Sequence, residues 1–224
     1  MNAWSYSIIC SPNTSLTSNL VREVFELVES KNYSPFNPDL KAIRGINGDE
    51  YGEFVYDSFD EVVKMLVKET GLVELWKKDQ EISTMNLSFN KQDQNLEINL
   101  SAENASFRDD EPQRDELAQD LKELFTNLCI SQDALYGYSA DEDALEVLEA
   151  LDKPLFDEIT HKPSILFWLQ YLSDRALHNT DMEIIKKLGG KIEKLSKGVL
   201  VSFFDYSWEV DLNKLADINT QFKV

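Results

Sequence analysis

Histidine supplies most general bases at neutral pH, and this chain carries two, His161 and His178. His161 sits in a turn context before Pro163, and His178 lies in the polar run ALHNTDM, near Asp181. Either could be drawn into a Ser-His-Asp arrangement, but no G-x-S-x-G elbow presents a serine to it. Neither H-x-x-x-H nor HExxH places two imidazoles on one helix face for zinc. Both histidines therefore read as loop residues. Gly189-Gly190 belongs to no phosphate-cradling pattern and reads as the left-handed stop of a helix. Cys10 and Cys129 form no C-x-x-C motif, so buried reduced thiols are expected rather than a zinc site or a disulfide framework. No catalytic residue, cofactor or metal is assigned from the sequence.

Carboxylates are the chemistry present in excess. Asp109, Asp110 and Glu111 form one cluster, and Asp141, Glu142 and Asp143 another. Neither has the alternating ligands, turn glycine and distal glutamate of a calcium loop. A carboxylate pair could serve glycoside hydrolysis, but this spacing is not specific to it, and acidic residues also belong at helix amino-termini. Between Asp133 and Glu158 the acids continue through Glu146, Glu149, Asp152 and Asp157, with Lys153 as the single base. The opposite bias appears at Lys186, Lys187, Lys191, Lys194 and Lys197. The whole chain has a formal net charge of −19 and a sequence pI near 4.4. Such a field repels nucleic acid and anionic lipid and steers basic partners inward. Tyr206 and Trp208 follow an aromatic strand that exceeds what one buried face absorbs, so they are candidate contact anchors. The candidate partner-binding set is thus Asp109, Asp110, Glu111, Asp141, Glu142, Asp143, Glu146, Glu149, Tyr206 and Trp208.

The elements that must position these residues follow from periodicity and caps. Trp4–Cys10 reads as a strand, followed by a helix capped by Thr14 or Ser15 and running to about Lys31. Its apolar Leu16, Leu20, Val24, Leu27 and Val28 share one helical face. Asn32–Gly52 is rich in proline and glycine and reads as loop, with a short strand near Lys41–Arg44. Ser58 and Glu61 match a capping box for a helix ending near Gly71, and Leu72–Lys77 reads as a further helical turn. Met85, Leu87, Phe89 and then Leu96, Ile98, Leu100 alternate, which predicts a hairpin with one buried face. Gln113–Leu128 is a helix whose core face is Leu117, Leu121, Leu124, Phe125 and Leu128. Leu135–Ser139 reads as a strand, and a capping box of Ser139 with Glu142 opens a helix to about Leu151. SILFWLQY (164–171) is predicted as a strand, Met182–Leu188 as a short helix, and Ile192–Leu195 with Gly198–Phe204 as a hairpin. Asp211 caps a last helix over Leu212–Ile218.

These elements predict an α+β protein with a mostly antiparallel sheet. The 224 residues are read as one domain over 1–224, or as two packed halves of about 1–130 and 131–224. MNAWSYSIICSP lacks the basic start and apolar length of a signal peptide. No stretch reaches the roughly 20 apolar residues that span a bilayer. Residence in the cytoplasm, away from membranes, is the expectation.

The carboxy-terminal third resembles a family of bacterial polymorphic-toxin immunity proteins, the immunity protein 52 family. The resemblance rests on DALEVLEALD, PSILFWLQYLS, IIKKLGG and GVLVSFFDYSWEV, roughly Asp143–Val210. The polar run SDRALHNTDM separates the aromatic strand from the short helix. The resemblance implies a cytoplasmic antidote that binds and covers a cognate toxin, with nucleases among the toxins and hence a basic target surface. It implies no enzymatic activity. Two rival readings stay open: a structural or adaptor protein self-associating through a sheet edge, and a carboxylate-based hydrolase.

Overall fold

The computed structural model describes residues 3–11, 14–47, 52–78, 83–92, 95–103, 111–149, 154–155, 157, 162–206 and 209–222. In chain order the strands and helices are β1 (Ala3–Cys10), α1 (Ser18–Ser30), β2 (Tyr33–Ser34), β3 (Ile43–Asn47), β4 (Glu53–Tyr56), α2 (Phe59–Glu69), β5 (Gly71–Lys77), β6 (Ser83–Gln92), β7 (Asn95–Glu103) and α3 (Glu111–Ser131). They continue with β8 (Ala134–Ala140), α4 (Glu142–Glu149), β9 (Leu169–Ser173), α5 (Asp174–Leu177), α6 (Met182–Lys187), β10 (Lys191–Leu195), β11 (Gly198–Ser202) and α7 (Leu212–Gln221). One sheet holds every strand in the order β10-β11-β9-β8-β1-β7-β6-β5-β3-β4, with β2 beside β3 along the same edge of β5. Each pairing is antiparallel, so the fold is α+β with an antiparallel sheet.

The strand alternation divides the side chains between two faces. Tyr6, Ile8, Leu100, Ile98, Leu87, Phe89 and Val73 are buried on one of them. Helix α3 lies on that face, placing Phe125 against Tyr6 with ring centroids 5.6 Å apart. Gly137 permits the close approach: a Cβ there would sit 2.9 Å from both Cys129 Sγ and Phe125. Helix α1 joins α3 to α2 through contacts such as Phe25 against Phe59. Tyr33 Oη donates to Asp120 at 3.0 Å and Lys77 reaches the same carboxylate at 3.1 Å, tying α3 to the β2–β5 corner.

The second face is read directly from the register. One row of side chains runs Ile46, Leu72, Ser88, Asn99, Ser7, Tyr138, Gln170, Val201, Ile192 across nine strands. On the β10–β8 side Tyr138 of this row stacks on Phe167 at 4.3 Å, in the segment before β9 that Asn219 of α7 holds through Leu166. On the β7–β4 side, Leu72, Ser88 and Asn99 stay half-exposed, Ile46 is 41% exposed and Val55 57%. Asn99 Nδ2 donates to Ser7 Oγ at 3.0 Å within the polar middle of the row.

Several expectations are corrected. Leu72–Lys77 is a strand: Val73 and Leu75 alternate into the core, and β6 with β3 and β2 pair its backbone on both sides. The proline- and glycine-rich stretch Asn32–Gly52 contains β2 as well as β3, and β4 follows it. Helix α1 begins a turn later than expected, with Thr17 accepting from Leu20 N. Ser58 precedes α2 but makes no side-chain cap bond. SILFWLQY is a strand only from Leu169. Upstream, Asn219 of α7 supplies the pairing a strand neighbour would have given: Leu166 N–H donates to its Oδ1 and its Nδ2 donates to Leu166 C=O, both at 2.7 Å. The remaining capping signals hold at α7, where Asp211 accepts from Asn213 N and Lys214 N, and at Gly189 (φ 92°) after α6.

Candidate functional site

Helix α4 carries most of the predicted acidic residues that can be placed. Strand β8 runs through Ala140, which leaves Ser139 buried inside the sheet and unable to cap. Asp141 caps instead, its carboxylate accepting from Ala144 N at 2.8 Å, and this corrects the Ser139–Glu142 capping box. Ala144 and Leu148 are buried, with α7 packed beside the helix. The opposite side exposes Glu142, Asp143 and Glu146. Among the described residues, no lysine or arginine pairs with Glu142 or Glu146. Burial pushes the Asp141 carboxyl up, and the Asp143 and Glu142 charges push the same way against the Ala144 hydrogen bond. Asp141 is thus half-buried and committed to its helix, while its three neighbours face solvent.

The expected basic corner is partly neutralised. Lys186 pairs with Glu183 at 2.7 Å, Lys191 with Asp205 at 2.5 Å, and Lys197 Nζ donates to Ile130 C=O at 3.0 Å. Arg22, Lys31, Arg44, Lys77 and Arg175 are likewise engaged with carboxylates. Several cations are thus tied up locally while Glu142, Asp143 and Glu146 of α4 face outward.

Tyr206 belongs to a different surface. It is 37% exposed and lines a pocket of about 220 Å³ together with Tyr6, Ala118, Gln119, Lys122, Trp168 and Asp205. That pocket is lined from β1, α3 and the segments flanking β9 and β11, and no α4 residue lines it, so Tyr206 and the α4 carboxylates do not share a site. Trp168 and Phe203 are buried. Asp109, Asp110 and Trp208 lie outside the described residues, as does His161; Glu111 opens α3 and Glu149 ends α4, with their side chains also outside. His178 is exposed in the turn after α5.

Sequence reasoning missed the pocket because its walls come from β1, α3, the segment before β9 and the segment after β11. Its one legible signal was Tyr206. The two thiols, far apart in sequence, converge where α3 crosses the sheet: burial, then the neighbouring Cys10, pushes Cys129 well up. Burial, then Asp133, pushes Cys10 up to about 12. Both are held as inert thiols at neutral pH. Among the described residues no group of three His, Cys, Asp or Glu side chains forms a metal site, and no helix is long and apolar enough to cross a membrane. Compared with known proteins, the chain matches no protein-family model and no curated protein.

Proposed function

We propose that this protein is an immunity protein: a stoichiometric inhibitor that binds a cognate bacterial toxin in the cytoplasm and covers its active or substrate-binding surface. The observation carrying this reading is the outward face of α4, where Glu142, Asp143 and Glu146 are exposed beside a half-buried, like-charged Asp141. The net charge of −19 extends that field over the molecule. A toxin with a basic surface, such as a nuclease, would be steered onto this face and lose its substrate path by steric coverage. Inhibition of this kind needs no chemistry from the inhibitor, and the same field keeps the protein itself off nucleic acid.

The test is calorimetric titration against the catalytically inactivated toxin domain encoded beside the gene. One-to-one nanomolar binding is the expected outcome; no detectable binding overturns the proposal. A triple reversal, Glu142→Lys, Asp143→Lys and Glu146→Lys, should slow association and flatten its salt dependence. Unchanged association kinetics would remove α4 from the interface.

A further inference from the structure

Strand β4 is the last strand of the sheet, and among the described strands it pairs only with β3. One bond fixes which of its backbone groups that pairing leaves over: Asn47 N–H donates to Gly52 C=O at 2.9 Å. Along an antiparallel pair, opposite residues that exchange hydrogen bonds alternate with those that do not. Gly45 with Phe54 and Ile43 with Tyr56 are therefore bonded pairs, and the N–H and C=O groups of Glu53 and Val55 point away from β3. Their side chains share the open sheet face, where Val55 is 57% exposed, Glu53 is exposed and Asp57 is exposed just beyond. Phe54 and Tyr56 turn to the other face, their rings 5.2 Å apart, and pack on the core. The opposite edge of the sheet is defended. Strand β10 (KIEKL) exposes Lys191, Glu193 and Lys194, and charged edge residues, lysine above all, discourage further pairing. Strand β4 (EFVY) has no lysine or proline.

We propose that the β4 edge binds an extended basic segment of a partner protein, added to the sheet as a further antiparallel strand of the pattern (Lys/Arg)-x-(Val/Ile)-x-(Lys/Arg). The apolar residue sits opposite Val55 and exchanges both backbone bonds with it, and the two cations stand opposite Glu53 and Asp57. Charge decides between this occupant and a second copy of the chain. Two β4 strands pairing through Val55 would set Glu53 of each against Asp57 of the other, and directly opposed like charges destabilise a sheet. A basic strand turns the same two positions into attractive pairs. Arg44 stands 3.9 Å from Glu53 and 4.0 Å from Glu74, so one cation is shared by two carboxylates. Glu53 thus keeps acceptor positions for the added strand. The four residues of β4 limit that strand to a short segment. The surface contains no α4 residue, and the proposal does not rest on the inhibitor reading.

The probes are three peptides, titrated into the full chain and followed by ¹H–¹⁵N chemical shifts. They are Ac-SKTVTKS-NH2, its charge-swapped form Ac-SETVTES-NH2, and the lysine peptide with its valine N-methylated, which removes the donor to Val55. The lysine peptide should saturate, move the amides of Glu53 and Val55 most, and bind at least about fivefold more tightly than either of the others. Val55→Lys should abolish saturation, and Glu53→Gln with Asp57→Asn should weaken the lysine peptide at least about threefold. All three side chains are exposed, so none of these substitutions threatens the fold. Undiminished binding of the N-methylated peptide would mean attraction by charge alone and overturns the proposal. Shifts centred on α4, or saturation by no peptide, overturn it as well. So does a dimer in sedimentation equilibrium that Val55→Lys dissolves, because the edge would then belong to a second copy.

Discussion

At the scale of single residues, Asp141 shows how one carboxylate can stabilise and cost at once. Its oxygen satisfies an amino-terminal N–H of α4, while burial and two neighbouring acids disfavour its ionised form. A folded pKa above the unfolded one means the native state holds the proton to higher pH. Stability therefore falls as pH rises from the unfolded toward the folded value, and the cost persists at neutral pH. Asparagine caps as well as aspartate and carries no charge. Asp141→Asn should thus be at least as stable as the parent at neutral pH, with any advantage shrinking below about pH 4, where unfolded carboxylates also protonate. Asp141→Ala should lose about 1 kcal/mol, the value of a cap. Urea unfolding at the two pH values measures this, and equal losses for Asn and Ala would show that the charge itself holds the helix end. The acidic character of this stretch was plain in the sequence. Its division into one capping and three surface carboxylates was not, because it depends on β8 running through Ser139 to Ala140.

At the scale of elements, packing decides where periodicity is ambiguous. LVELWK satisfied a short helical turn on its own, and only the flanking strands β6, β3 and β2 make it a strand. SILFW has β propensity throughout, yet its first half is held by the carboxamide of Asn219, a partner 53 residues away that no local pattern reveals. Long amphipathic units such as α1, α3 and the β6–β7 hairpin were legible because their apolar positions repeat over several turns or pleats. Gly137 was not singled out, and it sets the α3–β8 distance. Gly137→Ala should destabilise the protein by about 1–3 kcal/mol through overpacking against Cys129 and Phe125. Gly52→Ala, with nothing within 4 Å of its added Cβ, is the matched control and should be close to neutral. Denaturant midpoints for the pair check this; equal midpoints would mean that α3 shifts to accommodate the methyl.

At the scale of the whole molecule, charge sets two opposing responses to salt. The chain carries 41 acidic against 22 basic side chains, and several of the cations are absorbed in ion pairs. Self-repulsion among the remaining carboxylates destabilises the compact state. Screening tightens from about 30 Å at 0.01 M to about 10 Å at 0.1 M ionic strength. Added KCl should therefore raise the Tm across that interval, while it slows association with a basic partner. An inhibitor evolved for rapid capture would accept the first effect for the sake of the second, since the carboxylates that repel one another also steer the encounter. Differential scanning calorimetry across the KCl series measures the stability arm without any partner. A Tm that falls with salt would place the balance with local pairs such as Lys77 to Glu116 and Asp120. The acidic surplus would then have to be argued from individual contacts and not from the field.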